Sequence, residues 1–508
     1  MNRILSLTRY PEWVSFILRN YQKIFQAIVF LLSLLISYRM IMTFSTAQVI
    51  LILALVFFLY VVVKKPEIGI LAMFALIASL LYKQAIPAIP IGSISLLVTD
   101  VILFVLLLRI PYKALTDRSF RFLTTPLDVP LLLFIFASFI SAGVAILKYG
   151  QDFSVIVGTG LQMIIYYLLF FVITNFIREK KQIRFLFGSL LGIATFVSLA
   201  MIIQAKVAGS VRLMYGRIES VGQGSWAARI LPPGEVVVFI MFISAVCAMA
   251  IINKPFFSTV YLYLIPLLGG GMLLTYNRQY WGAIIFSFFV FMVVSTNRGK
   301  KRFLSWLAIV FVSVILIVLP LSRLSKTGRV YSDSIMERFS SLLTVKETYV
   351  SDRSLGWRKI ENQYAWRSIV RHPLLGIGLF TAYRPPLPGM DIGEDGWDSK
   401  RFIHNGYLWV LVNMGLLGFL PLMWLYIRFL TRGFSNWRKI MDPMEKSIVI
   451  GYAICGVALS LSILFEPRVL QWRGIMVIAT MAGMNEAIIL RNEKECREND
   501  MFKEVTHE

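Results

Sequence analysis

The stretch "VIVGTGLQMIIYYLLFFVITNFIREKKQIRFLFGSLLGIATFVSLAMII", Val155 to Ile203, decides the fold. It contains two apolar runs, Val155–Ile177 and Phe185–Ile203, divided by a short joint carrying Arg178, Lys180, Lys181 and Arg184. An α-helix of about 20 apolar residues crosses the hydrocarbon of a bilayer. A basic joint between two such runs is where lysine and arginine hold a loop on the cytoplasmic side. A membrane barrel would instead show alternation of apolar and polar residues, and these runs do not.

The same unit recurs along most of the chain. Spans are expected at Ile24–Phe44, Ala47–Val63, Ile68–Leu81, Leu96–Leu108, Val129–Leu147, Val155–Ile177 and Phe185–Ile203. Further spans are expected at Val236–Ile252, Val260–Leu274, Tyr280–Val294, Leu304–Leu321, Tyr407–Tyr426, Ile448–Phe465 and Trp472–Leu490. The reading is an all-α polytopic membrane protein with about 14 transmembrane helices (a range of roughly 12 to 14), since the third, fourth, ninth and tenth runs are short. At 57% hydrophobic residues and a mean hydropathy of +0.72, the 508-residue chain is far too apolar for a string of soluble domains.

Charge fixes the orientation. With a cytoplasmic N-terminus, every second loop is basic: Lys64 and Lys65; Arg109 to Arg121; Arg178 to Arg184; Lys254; Arg298 to Arg302; Arg428 to Lys446; and a tail with Arg491 and Lys494. The intervening outer loops, such as "KQAIPAIPIGS" and "KYGQDFS", are short and poor in charge. Both termini are therefore expected to be cytoplasmic. The segment around "YPEWVSFILRNY" reads as an interfacial lead into the first span, with no cleavable signal visible. The formal net charge of +23 follows from these loops, so no nucleic-acid partner is expected. Three scattered cysteines support neither a disulfide framework nor a metal quartet.

Four segments follow: helices 1–11 over residues 1–321, a large outer loop over 322–404, helices 12–14 over 405–490, and a tail over 491–508. A second outer loop, 206–229, carries Arg212, Arg217 and Arg229. In the large loop, "SDRSLGWRKIENQYAWRSIVRHP" predicts a helix from about Asp352 that stops before Pro373. Arg353, Trp357, Ile360 and Tyr364 share one face of it. That face suits either an arginine held for phosphate oxygens or an amphipathic helix lying on the membrane. In "HPLLGIGLF", Gly376 and Gly378 allow a tight turn and close backbone approach, whereas His372 reads as a polar loop residue.

Arg278 lies in a very short outer turn, "LLTYNRQYWGAIIF", almost at membrane depth, where an arginine has a partner, lines water or reaches for head groups. With Arg212, Arg217, Arg229 and Arg353 it would form a basic outer funnel for a polyanion. His404 opens a span in "RFIHNGYLWVLVNMGLLGF", with Asn405 and Tyr407 beside it. It reads as a proton acceptor for a hydroxyl or as a polar helix-start residue beside an Asn405 cap. Asp100 interrupts an apolar run, near the outer end of its helix. Asp391, Glu394, Asp395 and Asp398 read as a solvated loop rather than a cation site.

In order and sidedness these pieces resemble the O-antigen ligase/polymerase superfamily of bacterial membrane glycosyltransferases. The resemblance is carried by "DRSLGWRKIENQYAWRSIVRHPLLGIG", "HNGYLWVLVNMGLLG" and "TYNRQYWGA", through Arg278, Trp281, Arg353, Trp357, Pro373, Gly376, Gly378, His404, Asn405, Tyr407, Leu408, Gly415 and Gly418. It is detailed over Leu274 to Phe419. Three departures stand out: Asn277 and Gln279 flank Arg278 in place of serine and glycine, Asn413 stands where an acid is common, and no Asn-Pro-Asn segment follows Arg217.

The resemblance implies a metal-independent, inverting transfer of a glycan from undecaprenyl pyrophosphate to a hydroxyl, on the periplasmic face of the bacterial inner membrane. It implies no cofactor, and its partners would be the lipid-linked donor, a glycan or lipid acceptor and membrane lipids. His404 would be the base. Arg278, Arg353 and one or more of Arg212, Arg217 and Arg229 would hold the pyrophosphate. Trp357 and Tyr364 would stack on sugar or orient an arginine, with Gly376, Gly378, Asn405 and Tyr407 completing the substrate site. Polymerisation of surface or exopolysaccharide is preferred to ligation onto lipid A core or to protein O-glycosylation. A flippase or exporter of lipid-linked glycans is the alternative from another class; it would place its charges along a two-sided path in mid-membrane.

Overall fold

The computed structural model describes residues 46–78, 89–91, 94–207, 214, 216–220, 228–252, 255–313, 315–316, 319–324, 326–343, 353–385, 400–467 and 471–507. The expected first span, Arg212 and the acidic loop at 391–398 lie outside the described residues. The chain divides into two compact units, Met1–Lys64 and Lys65–Glu508. In the first, α1 covers Thr46–Lys64, and the Lys64 ammonium lies over the Tyr60 ring.

The second unit contains α2 (Pro66–Ile77), α3 (Val98–Thr116), α4 (Asp128–Leu147), α5 (Phe153–Phe176), α6 (Lys180–Val207), α7 (Glu235–Ile251), α8 (Pro255–Leu274) and α9 (Arg278–Val294). Then come α10 (Asn297–Ser313), α11 (Leu319–Leu324), α12 (Lys326–Leu343), α13 (Arg353–Arg371), α14 (Gly406–Asn436), α15 (Pro443–Ile463) and α16 (Trp472–His507). The described strands form two antiparallel hairpins, β1 (Ile89–Ile91) with β2 (Ile94–Leu96) and β3 (Arg217–Ser220) with β4 (Ala228–Leu231). The fold is all-α, as expected. Among the described helices, six are long and apolar enough to cross a membrane: α4, α5, α6, α14, α15 and α16. Apart from the first, every expected span falls on a helix; Leu304–Leu321 is divided between α10 and α11.

Helix α7 is the centre of the bundle. It has no charge after Glu235 and is buried on nearly every face, against α6, α8 and α15. Helix α4 packs on α14, and the end of α5 packs on α16. Within α5 the ladder loosens to a π-turn at Ile156–Leu161 and tightens to a 3₁₀-turn at Tyr166–Leu168. Asp100, the third residue of α3, is tied to this segment. Its carboxylate accepts the Leu97 N–H (2.7 Å) and hydrogen bonds from the Gln162 and Tyr166 side chains. It lies near the end of its helix with its acceptors in use, which removes the cost of an acid in an apolar run.

Helix α14 is broken at Gly415, whose φ of 57° and ψ of −157° leave the helical region. The Val412 and Asn413 carbonyls would ordinarily accept from Leu416 and Leu417. They accept instead from the Ile377 (2.8 Å) and Gly378 (3.1 Å) N–H groups of the turn after α13. Leu416 and Leu417 donate to the Pro373 (2.8 Å) and Leu374 (3.0 Å) carbonyls. These four backbone groups thus each find a partner in that turn. The docking requires glycine: a Cβ on Gly376 (φ +68°) would lie 2.5 Å from the Val412 oxygen, and one on Gly378 (φ +91°) 2.5 Å from the Ala145 nitrogen of α4.

Candidate active site

Helix α13 spans Arg353–Arg371, as its pattern predicts, and it packs on α14. Asn405 caps α14, its side-chain oxygen accepting from the Tyr407 (3.0 Å) and Leu408 (3.2 Å) N–H groups. The residue just before that cap, His404, is held between the two helices. Glu361 reaches it from α13. One carboxylate oxygen accepts the His404 backbone N–H (3.1 Å) and lies 2.7 Å from ring Nδ1. A carboxylate only accepts, so a neutral imidazole in this contact carries its proton on Nδ1 and leaves Nε2 basic. Among the described residues, Nε2 has no hydrogen-bond partner. The imidazole is one-third exposed, and the Phe402 ring meets it edge-on at 4.7 Å.

Glu361 is 2% exposed, and its other oxygen lies 3.8 Å from the buried Arg384 guanidinium. Arg384 donates to the Tyr383 hydroxyl (3.2 Å), which donates to the Phe402 carbonyl (3.0 Å). Burial, followed by the Glu361 charge, raises the Tyr383 phenol above its ordinary value, so it stays a neutral donor. The chain Arg384–Glu361–His404 thus ends at an imidazole that is one-third exposed.

That ring lines an open cleft of about 650 Å³. Arg358, Lys359, Asn362, Gln363, Trp366 and Arg367 of α13 form one side, and His404, Asn405, Leu464 and Phe465 form the other. Among the described residues, no carboxylate is in the lining. Arg358 sits over the Phe465 ring (5.9 Å) and Arg367 over Tyr364 (5.6 Å). Cations, amides and apolar surface in one cleft suit a ligand that is anionic, hydroxyl-rich and partly apolar.

The expected site residues separate into groups. Of them, His404 and Asn405 line the cleft, and Tyr364 supports Arg367 behind it. Arg353 opens α13, but its side chain lies outside the described ones. Trp357 is half-buried on the same helix. Tyr407 donates to the Ser460 carbonyl (3.0 Å), tying α14 to α15. Gly376 and Gly378 are buried, and the close approach they permit is to α14 and α4 rather than to the cleft. Arg278 begins α9 beside the cleft's rim, because its neighbour Gln279 donates to Glu466 (2.6 Å), the residue after Phe465. The Arg229 guanidinium donates to the Thr275 carbonyl in the same turn (3.0 Å), and Arg217 and Arg229 share Glu219. Arg229 therefore reaches the turn that precedes Arg278, whereas Arg217 is exposed on its hairpin.

Sequence reasoning missed Glu361, Arg384, Arg358, Lys359 and Arg367. Glu361 had a signal: it falls one helical turn beyond Trp357, the only acid in α13. Arg384 had none.

Residues 262–423 match the family model described as O-antigen ligase. No curated protein matches the sequence. A solved structure, described as structural coordination of polymerization and crosslinking by a peptidoglycan synthase complex, aligns with 72% of this chain and 97% of its own at 17% identity. Its TM-score is 0.34, too low for an argument about fold or activity. The matched segment contains Arg278, α13, the glycine turn, His404 and the break in α14, so the resemblance read from the sequence stands: over residues 262–423 this chain carries the O-antigen ligase family pattern.

Proposed function

We propose that the protein is a membrane glycosyltransferase that moves a glycan from undecaprenyl pyrophosphate to a hydroxyl acceptor with inversion, without a metal, at the periplasmic face of the bacterial inner membrane. The observation that carries this reading is the 2.7 Å contact between His404 Nδ1 and Glu361, which leaves Nε2 as a base facing a cation-lined cleft. The acceptor oxygen attacks the anomeric carbon as Nε2 takes its proton. The bond from that carbon to the pyrophosphate breaks on the opposite face, and its electron pair leaves on the phosphate oxygen. Arg358, Lys359 and Arg367 meet that growing charge, with Arg278 and Arg229 at the rim, and fixed cations of this kind serve where other transferases use a metal.

The fourteen-span topology with both termini cytoplasmic belongs to the same reading. Helix α14 runs about 1.5 Å per residue, so His404 and Arg432 lie at its opposite ends. Lys180, Arg184, Arg432 and Arg491, all from basic loops or helix ends assigned to the cytoplasm, pair with acids Asp442, Glu445, Glu486, Glu493 and Glu495. The cleft is at the other end, which favours an outward-facing enzyme over an exporter with mid-membrane charges. Polymerisation remains the preferred outcome from sequence, and the description of the matched family favours ligation as the second reading.

The test is glycan assembly in a strain lacking the chain, complemented with wild type or His404→Gln at equal membrane levels. The variant should lose roughly 10²- to 10⁴-fold of its transfer rate and leave donor exposed on the periplasmic side. Wild-type transfer by His404→Gln would remove the base, and donor accumulating on the cytoplasmic face would make the protein an exporter. Product attached to lipid A core rather than to lipid-linked chains identifies a ligase.

A further inference from the structure

The Glu361–Arg384 pair does more than join α13 to the start of α14. We infer that Glu361 is a positioning residue for catalysis: it fixes the proton of His404 on Nδ1, aims Nε2 into the cleft and stabilises the imidazolium formed when the acceptor proton arrives. This rests on His404 being the base. Three features of the geometry support it. The same carboxylate oxygen meets both the backbone N–H (3.1 Å) and Nδ1 (2.7 Å) of His404, so one group holds the residue's backbone and its ring together. Glu361 is almost fully buried, which strengthens its effect on a charge forming beside it. Arg384, equally buried at 3.8 Å, supplies the balancing positive charge from the side away from His404.

A carboxylate behind a histidine is more than a helix clamp because a clamp needs no particular tautomer. With the proton on Nε2 instead, the ring would present a donor to the acceptor hydroxyl and could not take its proton. No proton needs to reach Glu361: it accepts the Nδ1–H bond before and after transfer, and the proton gained at Nε2 leaves to solvent from the open cleft.

The test uses full-length protein in lipid nanodiscs, labelled with ¹⁵N-histidine. The chain has three histidines, so the His404 signals are assignable by comparison with His404→Gln. Replacing both buried partners together, Glu361→Leu with Arg384→Met, removes the carboxylate without stranding a buried charge, which lets the variant fold. Wild type should show the proton on Nδ1, and the double variant should show it on Nε2. With lipid-linked glycan extracted from the strain lacking this chain as donor, the double variant should lose roughly 10²-fold in kcat while KM stays within about twofold. Glu361→Asp should recover part of kcat. An unchanged tautomer, an unchanged kcat, or a loss confined to KM overturns the inference and leaves His404 as the base. Full activity of His404→Gln would instead overturn the base itself, so the two failures are distinct.

Discussion

The two ends of α14 handle charge in opposite ways. At its C-terminal end Arg432 is four-fifths buried, and its guanidinium is spread over Glu486 (3.0 Å) and Glu493 (2.9 Å), both from α16. Arg491 pairs with Glu445, and Arg184 with Asp442 (2.5 Å). At the N-terminal end Arg358, Lys359 and Arg367 line a cleft with no carboxylate among its described lining residues, and the nearby Glu361 is turned to His404 and Arg384. One end closes its charges within the protein and so holds helices together. The other places Arg358, Lys359 and Arg367 along an open cleft. An excess of positive charge in the sequence therefore has two meanings, and only the placement of the acids separates them.

The largest effect should come from opening the closed end. Arg432→Met leaves Glu486, 1% exposed, without its partner, and breaking a buried pair costs about 3–5 kcal/mol. Thermal unfolding should shift down sharply, while transfer per folded molecule stays near wild type. The double variant Arg432→Met/Glu486→Gln should recover most of that stability. A loss of transfer at normal stability would show that the two ends are coupled.

Next in size is the glycine turn that secures the open end. Gly376→Ala forces a Cβ against the Val412 oxygen at a positive φ, a strain of roughly 1–3 kcal/mol. Hydrogen exchange at Ile377 and Gly378 should quicken, and thermal stability should fall. Unchanged exchange there would mean that the turn does not depend on the break in α14. The smallest effect belongs to the cleft wall. Arg367→Ala removes one charge-assisted contact worth about 1.5 kcal/mol, so the donor KM should rise roughly tenfold with stability unchanged. A fall in stability instead would make this arginine a member of a closed network like Arg432.

Much of this architecture is legible in the sequence because it is local. Apolar runs of span length became helices from α1 to α16, and the Asp352–Pro373 pattern gave α13 within a residue or two. The Asn405 cap and the position of His404 beside it are equally local. What escapes is non-local. "NMGLLGF" reads as uninterrupted helix, since nothing within it announces that its carbonyls will be met by residues 373–380. Gly376 and Gly378 announce a close backbone approach, but the partner is α14 and α4. Glu361 finds His404 across 43 positions and Arg384 across 23, separations at which periodicity carries no information. Asn413, a departure from the family pattern, uses both faces of its amide: it accepts from the Phe380 N–H (2.8 Å) and donates to the Trp409 carbonyl (2.8 Å). A carboxylate there has no donor for the second bond.

The exchange of backbone partners at the break also sets an order in time. The turn at 373–380 leaves the ribosome before α14 does, yet the carbonyls that receive its N–H groups belong to Val412 and Asn413. Its other anchor, the Ser141 carbonyl on α4, is made much earlier and accepts the Leu379 N–H at 3.1 Å. During synthesis the turn can therefore hold to α4 alone until the first half of α14 is in place. A chain arrested before Gly415 would lack the Leu416 and Leu417 N–H groups that meet the Pro373 and Leu374 carbonyls, so the turn's contacts are completed late in synthesis.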